Sequence, residues 1–428
     1  MKRKFKVYPV QNFTKTKSQM LNWAKQFNIF CFLDNQEYNY SPSSFECLLA
    51  AGSEITLQAP AGNAFNALQK FKESNHDWIF GHMSYDLKNE IENLSSGNID
   101  KIGFPDIFFF VPCIILLLNN KELKIGVIDI DPDTVFQDIS SSSANKETQN
   151  VKIPGIKSRY FKNEYLLCVK ELQKHLLRGD CYEINFCQEF FSENAVIDPL
   201  DVYSKLSKIS PNPFSAFYKV GHNYLVCASP ERYLKKVKDK IFSQPIKGTA
   251  KRELNNLVED ENNKNDLVNS QKERAENVMI VDLVRNDLSK ICIEGSVKVE
   301  ELFGVYSFPQ VHQMISTISG VLKNEITLAN IFRATFPMGS MTGAPKKKVM
   351  ELIELYEKTK RGIFSGALGY ITPDNDFDFN VIIRSIVYNS SDKYLSIQAG
   401  SAITFNSDAE KEYEECLIKI KAMKSVLE

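Results

Sequence analysis

A carboxylate stands where an apolar residue belongs. In residues 274–287, Ile280, Leu283 and Val284 define one buried helical stripe, and Glu276, four residues before Ile280 and seven before Leu283, falls within it. A carboxylate so placed has to be paired, protonated or bound to a cation, because burying it alone is prohibitively costly. The plainer alternative is a first-turn residue at the surface, complementing the helix dipole. Near the C-terminus Glu412 and Glu415 lie three apart along one edge of the stripe Tyr413, Cys416, Leu417, Ile420, Met423 and Leu427, a helix that Ser407 or Asp408 would cap. By themselves they read as a solvated edge, with Lys419 as an ion-pair partner. Joined by Glu276, they make an all-oxygen set suited to Mg²⁺, with positions left for water and a substrate carboxylate.

Lys247 belongs to the strand-like run 241–247, on the face opposite Phe242, Gln244 and Ile246. A lysine there is ordinarily a solvated surface group, but desolvation or a nearby cation lowers its pKa and makes it a nucleophile. Gly248 and Thr249 after it permit close backbone approach and supply a hydroxyl. Residues 337–346 run into the helical pattern Val349, Leu352, Ile353 and Tyr356, with Thr342 the expected cap and backbone N–H groups free for an anion. The order of a phosphate-binding P-loop is absent.

Positioning these groups falls to a chain of 428 residues, 43% hydrophobic and 25% charged, enough for a sizeable globular core. The formal net charge of −1 selects neither nucleic acid nor a membrane surface as partner, so any anion site is local. The nine cysteines are scattered, without a CxxC pair or zinc spacing, and suit reduced thiols in a cytoplasm. No apolar stretch with a cleavage site follows the basic start at Lys2, Arg3 and Lys4. Residues 107–118, the longest apolar run, are too short to span a bilayer and contain Pro112; they read as buried strand.

Residues up to about 135 alternate helical and β-rich runs, ending in a strand over 123–130. Residues 137–150 are polar and serine-rich and predict a surface loop, 162–177 an amphipathic helix, and 181–186 and 224–227 short strands. Residues 253–273 form a polar insertion, expected as a mobile loop over a site. Helices and strands mix without a regular βαβ beat, which argues for an α+β fold.

In order along the chain stand GDCY (179–182), SPER (229–232), PIKGT (245–249), residues 274–288, Val311 with His312, GSMTGAPK (339–346), ALGY (367–370), DFNVIIR (378–384), Ala399 with Gly400, and Glu412 with Glu415. This series resembles the chorismate-utilising enzymes, among them anthranilate, aminodeoxychorismate, isochorismate and salicylate synthases. FLDN at 32–35 resembles, more loosely, the family's early strand near a regulatory or structural tryptophan pocket. The resemblance implies an interleaved α+β fold, a two-sheet antiparallel β-sandwich with helices on the outside. Residues 1–150, the N-terminal region, and 151–428, the chorismate-binding catalytic region, would share it. It also implies Mg²⁺ at Glu276, Glu412 and Glu415. Chorismate would contact Gly248, Thr249, His312, Ser340, Thr342, Tyr370, Arg384 and the turn Gly400, Ser401 and Ala402, with Arg384 a bidentate carboxylate fork.

Two positions separate the members. Lys247 resembles the lysine of the aminodeoxychorismate synthases, where anthranilate synthases typically carry alanine. Isochorismate and salicylate synthases carry a lysine base where this chain has Glu183, and other relatives often have glutamine there. The implied reaction has Lys247, as a neutral amine, add to ring carbon 2 while Glu231 protonates the departing 4-hydroxyl. Ammonia, from a separate glutamine amidotransferase subunit, then expels the lysine to leave 4-amino-4-deoxychorismate. The alternatives are anthranilate synthase component I and a non-catalytic regulator that binds chorismate or tryptophan. Ala402, in a usually glycine-rich turn, and Asn375, in place of a glycine, depart from the family pattern; asparagine tolerates positive φ.

Overall fold

The computed structural model describes residues 3–38, 46–142, 152–308 and 311–428. Two antiparallel sheets, of twelve and ten strands among these residues, pack face to face. Phe80, Phe108 and Phe110 of one sheet meet Ala216, Tyr218 and Leu225 of the other in the core between them. Each outer face is roofed by helices, and their apolar stripes close three further clusters. This is the α+β sandwich expected from the sequence. Both sheets draw strands from either side of residue 150.

The apolar run 107–118 is two strands, not one. Ile107–Val111 joins the ten-stranded sheet and Ile114–Leu118 the twelve-stranded sheet, with Pro112 and Cys113 carrying the chain across. Both are buried on both faces, which removes the polar alternation that would have marked the break. The strand expected over 123–130 ends at Val127, and Asp129 turns the chain at φ 52°. Tyr224 lies in the strand Asn223–Ser229, and the amphipathic helix forms as expected over Lys162–Leu177.

Two expected loops contain helices. Pro132–Ser141 is a helix capped by Asp131 that buries Val135 and Ile139; residues 143–150 of the serine-rich segment lie outside the described residues. The polar insertion is the helix Leu257–Asn269, capped by Asn256, followed by the start of the helix Gln271–Ile291, capped by Ser270. Its polarity concealed the helix because only Asp260 and Leu267 are buried. Thr342 does not cap the helix Lys346–Tyr356: Pro345 occupies that position, and Thr342 donates its hydroxyl to the carbonyls of Met338 and Gly339. Asn375 takes φ 63°, as its side chain allows. Among the described residues no helix is long and apolar enough to cross a membrane.

Candidate active site

Lys247 is aimed by an irregularity in its strand. In Ile246–Lys251 the pairing with Val311–Val321 runs Ile246 to Ile315 and then Thr249 to Gln313, so Lys247 and Gly248 bulge out of register. Gly248 has φ +95°, and a Cβ there would stand 3.1 Å from Leu267 Cδ1 and 3.2 Å from Glu273 Oε2, so glycine is what lets the two helices close on the bulge. Asn277 of the helix Gln271–Ile291 donates to the Lys247 carbonyl at 3.5 Å and accepts from Ser316 at 2.6 Å.

The lysine is not a solvated surface group. Its side chain is 11% exposed, with Nζ 2.8 Å from Glu183 Oε1 and 3.9 Å from Glu276 Oε2. Burial alone would lower its pKa, but Glu183 and Glu276 outweigh it and hold the group above the ordinary lysine value. The neutral amine expected from the sequence is therefore not the resting form. Glu183 is itself buried, and its Oε2 has no hydrogen-bond partner among the described residues.

Glu231 is buried at the start of the strand Arg232–Val237, and Ser340 donates to its Oε1 at 2.6 Å. Burial pushes its pKa up to about 7, against the opposing pull of Ser340 and Lys247. A carboxyl in this state holds a proton near neutrality and can donate it.

The misplaced carboxylate is indeed buried: Glu276 is 8% exposed and its pKa is pushed up to about 7, chiefly by burial. Glu412 is buried on the helix Ala409–Ser425. Lys272 spans the two, its Nζ 3.8 Å from Glu276 Oε1 and 3.5 Å from Glu412 Oε1. Glu415 pairs with Lys419 at 2.7 Å; burial works to raise its pKa, but Lys419 holds it below the ordinary value. Among the described residues no three such groups converge as a ready metal-binding cluster. The donor chemistry nevertheless fits a hard cation, since Glu276 Oε1 is buried without a hydrogen bond among the described residues and Lys272 already supplies positive charge between the carboxylates.

The other expected contacts divide. Arg384, at φ 51°, has a guanidinium that makes no hydrogen bond among the described residues; burial lowers its pKa, with Glu415 the opposing charge. Gly400, Ser401 and Ala402 are not a turn but lie within the strand Tyr394–Ile403. A Cβ on Gly400 would meet the Phe186 carbonyl at 2.2 Å, and the Gly400 carbonyl accepts from Lys419 at 2.7 Å. The Ser401 hydroxyl is buried beside Tyr165, while Thr249 is exposed next to the lysine bulge.

His312 is not free for a substrate. Its Nδ1 meets Ser307 Oγ at 2.9 Å and its Nε2 meets Asp260 Oδ1 at 3.1 Å, because the insertion folded as a helix over it. The Thr342 hydroxyl is likewise satisfied within its own loop. Tyr370 packs on Trp78 and Phe80 and feels the charges of Asp378 and Arg232, an environment distinct from that around Lys247.

Sequence reasoning missed the supports. Arg361 and Glu357 form a buried pair at 2.6 Å. Arg361 also donates to the carbonyls of Met341 and Asn185, tying the Ser340 loop to the Glu183 strand. Their i, i+4 spacing was the available signal, but it resembles many surface pairs. Lys346 pairs with Asp287, joining the Gly339 segment to the Glu276 helix.

The chain matches the family described as chorismate binding enzyme over residues 30–425. It is 34% identical over 349 residues to aminodeoxychorismate synthase component 1 of Salmonella typhimurium, covering 81% of this chain and 76% of that protein. It is also 34% identical over 353 residues to anthranilate synthase component 1 of Saccharolobus solfataricus, covering 82% and 80%. The crystal structure of anthranilate synthase component I from Streptococcus pneumoniae superposes with a TM-score of 0.79 at 26% identity, covering 90% of this chain and 93% of that one.

Proposed function

This chain belongs to the chorismate-binding enzymes and acts on chorismate, and on that premise we propose that it is the chorismate-binding component of an aminodeoxychorismate synthase. It would replace the 4-hydroxyl of chorismate by an amino group, giving 4-amino-4-deoxychorismate for 4-aminobenzoate and folate synthesis. The observation that carries this reading is the buried Lys247, turned by a bulge onto Glu183 and Glu276.

Each residue has a defined task. Lys247 passes a proton to Glu183, whose free oxygen keeps a second acceptor position, and adds through Nζ to ring carbon 2. Glu231 donates its proton to the 4-hydroxyl, which leaves as water. Ammonia bonds to carbon 4 and the lysine departs, so the enolpyruvyl group is retained. Arg384 offers a fork for a substrate carboxylate. Glu276 and Glu412, with Glu415 once Lys419 releases it, would hold Mg²⁺. When bound, that ion supplies positive charge for a substrate carboxylate. The designation of relatives as component 1 supports a separate glutamine amidotransferase subunit as the ammonia source.

The test is turnover of chorismate with Mg²⁺ and ammonium, reading the product by mass. The expected product keeps its enolpyruvyl group and yields 4-aminobenzoate when a lyase is added. Fluorescent anthranilate with release of pyruvate overturns the proposal in favour of the activity named for the Saccharolobus solfataricus relative. Lys247→Ala is expected to abolish amination and any covalent adduct seen on the intact protein; full amination by this variant removes the lysine from the mechanism.

A further inference from the structure

Lys272 stands where local helix energetics disfavour a lysine. It is the second residue of the helix Gln271–Ile291, at the positive end of the helix dipole. It also precedes Glu276 by four residues, the weaker orientation for a lysine–glutamate pair. Its reason lies on another element: Glu412, in the first turn of the helix Ala409–Ser425.

Between these two carboxylates the ammonium is placed without being closely bonded. Its Nζ is 3.5 Å from Glu412 Oε1 and 3.8 Å from Glu276 Oε1, beyond the roughly 2.7–2.9 Å of a charge-assisted hydrogen bond. The lysine side chain is 54% exposed, whereas those of Glu276 and Glu412 are 10% and 2% exposed. The charge can therefore swing out to water on its flexible stem while the carboxylates it neutralises stay buried. Lys419 differs, since it pairs with Glu415 at 2.7 Å and also donates to the Gly400 carbonyl at 2.7 Å, which ties it down.

We propose, resting on the metal-binding reading of these carboxylates given above, that Lys272 is a tethered counter-ion: it holds Glu276 and Glu412 together in the metal-free protein and has to be expelled for a divalent cation to bind. Two buried carboxylates facing one gap repel unless a cation shares it, and without one they would move apart or take up a proton. Mg²⁺ bonds carboxylate oxygens at roughly 2.0–2.1 Å, and an ammonium within about 4 Å of the same oxygens repels it. Lys272 thus keeps the site assembled and sets how tightly it takes its metal.

Binding of Mn²⁺, an oxygen-seeking octahedral probe of a Mg²⁺ site, to the full chain without chorismate tests the proposal, with free Mn²⁺ followed by its EPR signal at about pH 8. Lys272→Met keeps the length of the side chain and removes its charge. It is expected to bind Mn²⁺ about three- to tenfold more tightly than the wild type, the weight of one or two partly exposed ion pairs. Lys272→Arg keeps the charge and should not tighten binding, and Glu412→Gln should abolish it. Affinity unchanged or weaker in Lys272→Met overturns the proposal, because a lysine that only supports the fold would weaken the site when lost. Binding that survives Glu412→Gln lies elsewhere and overturns it too. If the wild type takes up no Mn²⁺, the metal-binding reading falls and the counter-ion with it; wild-type binding that Lys272→Met leaves unchanged removes the counter-ion alone. None of these readouts depends on which product is made from chorismate.

Discussion

Lys247 sits between two carboxylates whose effects on it add. Glu183 at 2.8 Å is the nearer and Glu276 at 3.9 Å the farther, and both stabilise the ammonium. A reaction that needs the free amine must therefore gain rate as pH rises through the titration of the lysine. Removing the charge in Glu183→Gln lowers the lysine pKa, so the ascending limb of kcat/KM against pH is expected to move to lower pH by roughly 1–3 units. A limb that stays in place shows that Glu183 does not set the protonation of Lys247. Glu231 is the complementary case. Burial raises its pKa to about 7, so that a share of the molecules carries the proton at neutrality, and the Ser340 hydroxyl fixes the oxygen that accepts rather than the one that donates.

At the scale of elements, the site depends on where strands break their pairing and on what binds loops to strands. The bulge at Lys247 and Gly248 requires a positive φ, and a methyl group there would press on Leu267 and Glu273. Gly248→Ala is expected to cost about 1–2 kcal/mol from backbone strain alone. It should lower Tm and amination together, since any relief displaces the lysine; unchanged activity and Tm would show that the bulge tolerates a side chain. The Arg361–Glu357 pair is buried and also satisfies the Cys187 N–H and two carbonyls. In Glu357→Gln the guanidinium loses its counter-charge, and urea unfolding should register a loss of roughly 3–5 kcal/mol. A loss below about 1 kcal/mol, the range of an exposed pair, would show that the guanidinium finds another partner.

For the whole molecule, the buried carboxyls make stability depend on pH in a direction opposite to ordinary acid denaturation. Glu231 and Glu276 have folded pKa values of about 7 against an unfolded value of 4.5. Their contribution is fully present below the unfolded value and is lost as pH rises through about 7. The gap between 4.5 and about 7 corresponds to at most roughly 3–4 kcal/mol for each group. Glu415 runs the other way, since Lys419 holds its pKa below the ordinary value. Thermal unfolding without divalent cations should therefore show Tm falling from about pH 5 to about pH 8. Glu276→Gln should flatten the slope, and Mg²⁺ should restore Tm at the alkaline end by binding the ionised carboxylates. A Tm that climbs across this interval would show that the buried carboxyls do not dominate.

By itself the sequence determined what local periodicity encodes. The stripe that placed Glu276 inside the helix Gln271–Ile291, the helix Lys162–Leu177 and the Glu415–Lys419 pair all follow from residues three and four apart. The ordered motifs were also enough to identify the two-sheet sandwich. Only the tertiary structure decided which side chains face one another across long separations. Ser340 lies 109 residues from Glu231, and Arg361 lies 176 from Asn185. The same holds for the errors: His312 is closed off by Asp260, 52 residues away, and the apolar run 107–118 divides between two sheets. Periodicity fixes the face a residue occupies on its own element, whereas its charge partner depends on which strand lies alongside. For Lys247 that partner is Glu183, a buried acid 64 residues away that no local pattern could pair with it.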